Sequence, residues 1–123
     1  MNWVPAIVWY GLIFYLSHQS HPPGADLAPA FLGHIAVYLA LGLLLVFAST
    51  SRFRRPLNQR KFLGVIGLIF LGGVLDEFHQ SFVPGRVPSA WDVAFDMLGG
   101  ALGAFVGRRL ARRFKSAAQE GNS

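Results

Sequence analysis

The chain has 123 residues, 53% of them hydrophobic and 14% charged, with a mean hydropathy of +0.42 and a formal net charge of +5. A soluble domain carries charge on nearer a quarter of its residues, so this composition excludes a fold with an ordinary polar surface and points to an all-α integral membrane protein. It has no cysteine, which removes disulfides and thiolate metal sites, and ten of its eleven basic residues follow apolar runs in two tight clusters, a pattern of membrane anchoring rather than of nucleic-acid binding.

Trp3 to Ser17 is apolar apart from aromatic hydroxyls and indoles. At about 15 residues it lies at the short end of what crosses a hydrocarbon layer about 30 Å thick. It lacks the charged face of an interfacial helix. No basic residue precedes it and no Ala-x-Ala site follows, so it reads as a retained span rather than a cleaved signal. Trp3, Trp9, Tyr10 and Tyr15 are candidates for rings at the interface. The polar run from Ser17 to Gly24, with Pro22-Pro23-Gly24, ends it and reads as a loop that carries His18 and His21.

Asp26 is placed to cap a second helix, with Pro29 tolerated in its first turn. Apolar character then runs for about 21 residues, from Ala28 to Ala48, a full span. His34 and Tyr38 share one face near its start. Arg52, Arg54, Arg55, Arg60 and Lys61 crowd the next loop. A third helix is expected from about Phe62 to Val83, carrying Asp76, Glu77, His79 and Gln80 in its last turns. Val83-Pro84-Gly85 makes the following turn, since Pro presets φ and Gly accepts a positive one. Ser89-x-x-Asp92 fits a capping box ahead of a last helix over about 90–107. Arg108, Arg109, Arg112, Arg113 and Lys115 follow, and 116–123 reads as a frayed, disordered tail.

Four spans place both basic clusters on one side, so both termini face the cytoplasm and the chain forms a single multi-pass domain, 1–123, of the cytoplasmic (inner) membrane. Every other candidate chemical group then lies at the opposite, outer side. Asp76, His79 and Gln80 share a helix face at i, i+3 and i+4, with Glu77 rotated by about 100°. Asp92 and Asp96 share a face of the last helix, continued by Gly99, Gly103 and Gly107. Small residues at that spacing let helices approach closely. The simplest assembly is a hairpin of the third and fourth helices, in which the Asp76/His79 face meets Asp92 and Asp96. The same three glycines could also serve a homo- or hetero-oligomer.

An Asp at the membrane centre costs about 2.5–3.5 kcal/mol on an insertion scale, so four carboxylates facing lipid would cost on the order of 10 kcal/mol. They must be near the interface, paired with Arg86 and the histidines, partly protonated, or holding a cation. Asp76, His79 and Asp92 are the candidate catalytic groups, as acid, base or proton shuttle. Arg86, Gln80, His34, Tyr38, Glu77 and Asp96 are candidate binding groups. Asp76-x-x-His79 with Asp92, Asp96 and His34 offers carboxylate and imidazole donors to a divalent metal. The spacing is unspecific, so no metal ligand is assigned and the cofactor is left open. Blander roles compete throughout. Asp92 can serve the helix dipole, Ser89 a cap, Arg86 a counter-ion, His34 a buried hydrogen bond, and Trp91 an interface anchor.

Asp76-Glu77-Phe78-His79-Gln80-x-Phe82-Val83-Pro84-Gly85-Arg86, then Ser89-x-x-Asp92-x-x-x-Asp96-x-x-Gly99-Gly100-x-x-Gly103, resembles the signature of the VanZ-like family. His34-x-x-x-Tyr38 resembles its earlier element, and the likeness runs from about Ser17 to Gly107. It implies a small polytopic bacterial membrane protein. That family is named for a glycopeptide (teicoplanin) resistance determinant whose biochemical activity is not established. Two positions depart from the pattern: Phe31 stands where the family often has Lys, and Asp96 where it usually has Asn. Both changes make this pocket more acidic. The resulting expectation is an envelope protein that binds or processes an anionic, lipid-linked head group. A metal-assisted hydrolase or transferase and a non-catalytic partner subunit are the alternatives.

Overall fold

The computed structural model describes residues 2–19 and 29–122, so Asp26, His21 and the Pro22-Pro23-Gly24 breaker lie outside the described residues. Four helices and no strands occur among them: α1 (Val4–Ser17), α2 (Ala30–Ser49), α3 (Gln59–Gln80) and α4 (Ala90–Glu120).

Local chemistry explains most of the boundaries. Pro5 sits in the first turn of α1, where its missing N–H removes no helical bond. At the end of α2, Thr50 Oγ1 donates to Val46 O at 2.6 Å and accepts from Phe53 N at 3.0 Å. The chain then passes through three consecutive left-handed residues, Ser51, Arg52 and Phe53, with φ of 51°, 63° and 64°. Without glycine this conformation costs about 1–2 kcal/mol per residue. Asn58 then caps α3, accepting from Lys61 N at 2.8 Å. α3 therefore begins at Gln59 rather than Phe62 and carries Arg60 and Lys61 in its first turn.

α4 starts where the capping signal predicts, with Ser89 accepting from Trp91 N at 3.2 Å. It does not stop near Gly107. It runs unbroken to Glu120, taking in the second basic cluster and Ser116, which had read as tail. Arg, Leu, Ala and Lys are all good helix formers, so nothing local ends it. Its 31 residues make a rod of roughly 46 Å. Arg108 stacks over the Phe62 ring at 5.0 Å and donates to Gln59 Oε1 at 3.3 Å, tying α4 to the start of α3.

The glycine stripe has a different partner from the one expected. α4 packs most extensively on α2, not α3. A Cβ on Gly99 would meet the Ile35 carbonyl, and one on Gly103 the Leu39 carbonyl. One on Gly107 would meet the Val46 side chain. Gly42 answers from α2, backed against Gly100 O and Ala104 N. The pairs 35/99, 39/103 and 46/107 advance together, so α2 and α4 run parallel with their backbones nearly touching. The three glycines offered above for a partner helix are thus covered by α2 of the same chain. α3 lies antiparallel to α4, with Ile69 over Gly100 and Gly73 facing Asp96. α1 lies parallel to α3, joined by Tyr10 Oη donating to Gly72 O at 2.9 Å, and Trp9 Nε1 donates to Val37 O on α2 at 2.8 Å.

The partition of side chains is inverted. Asp76, Gln80 and Asp96 are buried, while Ile7, Leu63, Phe70, Leu71, Phe78, Leu98 and Phe105 are exposed. Exposed apolar area on this scale needs a cover that is not water. α2 and α3 are long and apolar enough to cross a membrane; α1 is apolar but has 14 residues.

Candidate functional site

The alternating directions of the helices bring the end of α1, the start of α2, the end of α3 and the start of α4 to one end of the bundle. All the carboxylates of α3 and the first two of α4 gather there, and the ten clustered basic residues lie toward the other end.

His34 and Asp96 form the centre. His34 Nδ1 lies 2.7 Å from Asp96 Oδ1, and Asp96 is 1% exposed. With the carboxylate ionised, Nδ1–H donates and fixes the imidazole, leaving Nε2 as its basic atom. That atom lies 4.0 Å from Asp92 Oδ1. One imidazole is therefore bracketed by two carboxylates that sit one turn apart on α4. Close α2–α4 packing is what puts them there: Gly99 lies one turn beyond Asp96, and any larger residue would push Ile35, and with it His34, away.

Asp76 enters from α3, where Gly73 leaves space for the Asp96 side chain. It is within electrostatic reach of His34, His79 and Arg86, and the buried Ser17 hydroxyl lies beside it. Tyr38, one turn after His34, is fully buried. Three oxygens of this group, Asp76 Oδ1, Asp96 Oδ2 and Tyr38 Oη, have no hydrogen-bond partner among the described residues. A buried polar atom left unpaired costs about 1–3 kcal/mol, so three in one place require an explanation.

The other expected members go elsewhere. His79 does not meet Asp92 and Asp96 across a hairpin. It faces α1, stacked on Phe14 at 4.0 Å between centroids, with its Nε2 3.3 Å from His18 Nδ1. Glu77 accepts from the Ser89 backbone N–H. It thereby supplies the reciprocal half of the cap that Asp92 had been expected to make, and Asp92 is left to the His34 group. Among the described residues Arg86 forms no ion pair with a carboxylate; its Nε donates to Gln19 O at 2.9 Å and its Nη2 to Leu16 O at 3.2 Å, tying down the end of α1. Gln80 is buried on the Asp76 face. Among the described residues, no group of three or more His, Asp or Glu is placed to hold a metal.

Sequence reasoning overlooked α1. Tyr10, Phe14, Ser17 and His18 follow one another at helical spacing; Tyr10 meets Gly72 of α3, Ser17 meets Asp76, and Phe14 and His18 both stack on His79. The i, i+4, i+7 pattern of polar and aromatic groups on an otherwise uniform apolar helix was the available signal.

The VanZ/LLP1 family model matches residues 2–111, most of the chain. The chain belongs to the VanZ/LLP1 family. No curated protein and no solved structure matches it. VanZ/LLP1 membership and the two long apolar helices together point to a membrane protein. The matched region includes every member of the His34–Asp96–Asp76–Tyr38 group, and α1 as well.

Proposed function

We infer that this VanZ/LLP1 protein is a four-span protein of the bacterial cytoplasmic membrane that binds an anionic, lipid-linked head group at the outer leaflet. Both termini face the cytoplasm. The basic clusters support that orientation, because they share the end of the bundle opposite the carboxylates and cationic loops are retained on the cytoplasmic side.

The observation that carries the binding reading is the set of three buried, unpaired oxygens on Asp76, Asp96 and Tyr38. Ionised carboxylate oxygens accept only, so a head group that binds them presents donors, as the hydroxyl or amino groups of a sugar or alcohol do. Arg86 supplies the attraction for phosphate. Its two bonds to carbonyls leave its charge intact and engage two of five N–H donors. His34, oriented by Asp96, can take a proton from a bound hydroxyl, which is the one feature that favours turnover over simple binding.

Mass spectrometry of lipids that co-purify with the protein tests the reading. One anionic lipid class should be enriched over the bulk membrane with wild type and fall several-fold with Asp76→Asn and Tyr38→Phe, at equal membrane levels of protein. The same variants should lose any glycopeptide (teicoplanin) tolerance that the wild type confers. An identical lipid profile for all three proteins would reject the proposal.

A further inference from the structure

Beside the polar group lies an open apolar groove of about 320 Å³, formed by α1, α2 and α3 and lined by Trp3, Ala6, Leu41, Leu45, Leu71 and Leu75 among others. We propose that it seats one hydrocarbon tail of the lipid whose head group lies at Asp76. The proposal rests on the head-group reading for what stands at the polar end; the groove itself is argued separately.

Chemistry comes first. The side-chain lining is apolar apart from the Tyr10 hydroxyl and the Trp3 indole, and that hydroxyl already donates to Gly72 O. A head group finds little to bond there, and hydrocarbon loses nothing by entering. Shape comes second. The α3 side of the groove, from Leu68 to Leu75, is roughly 10 Å long. An apolar wall of that length runs along the direction of α3, so an extended chain can follow it.

Connection to the polar group comes third, and it selects a lipid over loose hydrocarbon. Gly72 lines the groove, and Asp76 stands one turn further along the same face of α3. Asp76 is 2% exposed and its Oδ1 is unpaired among the described residues. A molecule that satisfies both features is apolar along about 10 Å and bears a hydrogen-bond donor at one end. With the carboxylate end outward, its tail points from the outer surface toward the membrane centre, the direction a tail of the outer leaflet already takes.

The test uses the full chain in vesicles of phosphatidylcholine containing phosphatidylglycerol with a diazirine on one acyl chain. Labelled peptides are mapped by mass spectrometry. Leu68, Leu71 and Leu75 should carry at least fivefold more label than Leu63 and Phe70, which are apolar and about as exposed on α3 but do not line this groove. Leu71→Trp and Leu75→Trp, substitutions at exposed rim positions, should each cut groove labelling several-fold and leave Leu63 and Phe70 unchanged. Uniform labelling, or groove labelling that neither variant moves, overturns the proposal. So does a photoreactive leucine at position 71 that forms adducts with a second copy of the chain instead of with lipid. Full groove labelling in Asp76→Asn would reject the head-group reading and leave the tail site standing.

Discussion

His34 Nδ1 and Asp96 Oδ1 stand 2.7 Å apart although 62 residues separate them in the chain. Among the described residues each is the other's hydrogen-bonding partner, and the carboxylate is almost wholly enclosed. Removing one partner of a buried charged pair costs about 3–5 kcal/mol when it strands the other. His34→Ala should therefore destabilise the protein in detergent by about 3 kcal/mol. Asp96→Ala should cost less, because a neutral imidazole tolerates burial better than a carboxylate. A double-mutant cycle should return a coupling of about 1–3 kcal/mol. Additive losses would show that the contact contributes nothing. Asp96→Asn retains an acceptor for Nδ1–H and should fold like wild type, the milder outcome that melting curves can separate from alanine.

Glu77 and Ser89 close the turn between α3 and α4. The Ser89 side chain caps α4 while its backbone N–H is held by the Glu77 carboxylate. Glu77→Gln keeps an acceptor at the same place and should melt within about 0.5 kcal/mol of wild type, whereas Glu77→Ala and Ser89→Ala should each cost about 1 kcal/mol. Hydrogen exchange at Trp91 should accelerate in Ser89→Ala, because that N–H loses its partner. Unchanged exchange at Trp91 would place the cap elsewhere.

Arg86 ties the turn after α3 to the end of α1 through the Leu16 and Gln19 carbonyls. A hydrogen bond from a charged donor contributes about 1.5–3 kcal/mol. Lysine carries the charge but not the fork, so it cannot reproduce both bonds. Arg86→Lys should therefore loosen α1, seen as faster exchange at His18 and Gln19, while retaining part of the lipid enrichment. Arg86→Ala should lose both. If Arg86→Lys left α1 exchange unchanged, the carbonyl tie would not be what holds that end of the helix.

How much of this was legible in advance depends on how local the cause was. The start of α4 could be read at Ser89, because a cap is a matter of three residues. The burial of Asp76 with Gln80 followed from their spacing on one helix. The choice of α2 over α3 as partner of the glycine stripe could not be read from Gly99, Gly103 and Gly107 alone, since α3 has glycines too. It turned on Gly42, whose missing side chain lets the α2 backbone reach Gly100 and Ala104. The end of α4 is expected at Gly107 because the apolar run gives way there to the basic cluster, a change that stops a span but not a helix. His79 was grouped with the α4 carboxylates because it shares a face with Asp76. That face is wide enough for Asp76 to lie beside Ser17 within reach of His34, and for His79 to stack on Phe14 and His18.

The close α2–α4 contact makes two glycines behave in opposite ways. A Cβ at Gly103 meets the Leu39 carbonyl, which belongs to a backbone that cannot turn aside. Gly103→Ala should destabilise by about 1–3 kcal/mol through overpacking. Gly64 has nothing within 4 Å of the same position, so Gly64→Ala should stabilise α3 by about 0.5–1 kcal/mol through helix propensity alone. Melting temperatures in one detergent decide it. Two glycine variants that shift in the same direction would refute the packing described for α2 and α4.

Tyr38 separates stability from function. Its hydroxyl is fully buried and lacks a partner among the described residues, so the protein without ligand carries a desolvated group that contributes nothing to the fold. Tyr38→Phe removes that penalty and keeps the ring, and it should raise the stability of lipid-stripped protein by about 1 kcal/mol. With native lipid present the order should reverse, because the hydroxyl then has a bond to lose. Melting wild type and Tyr38→Phe, each stripped and then resupplied with the membrane lipid extract, reads both halves. A variant that is less stable under both conditions would mean that Tyr38 bonds within the protein itself, and the case for an external donor at this site would lose one of its three oxygens.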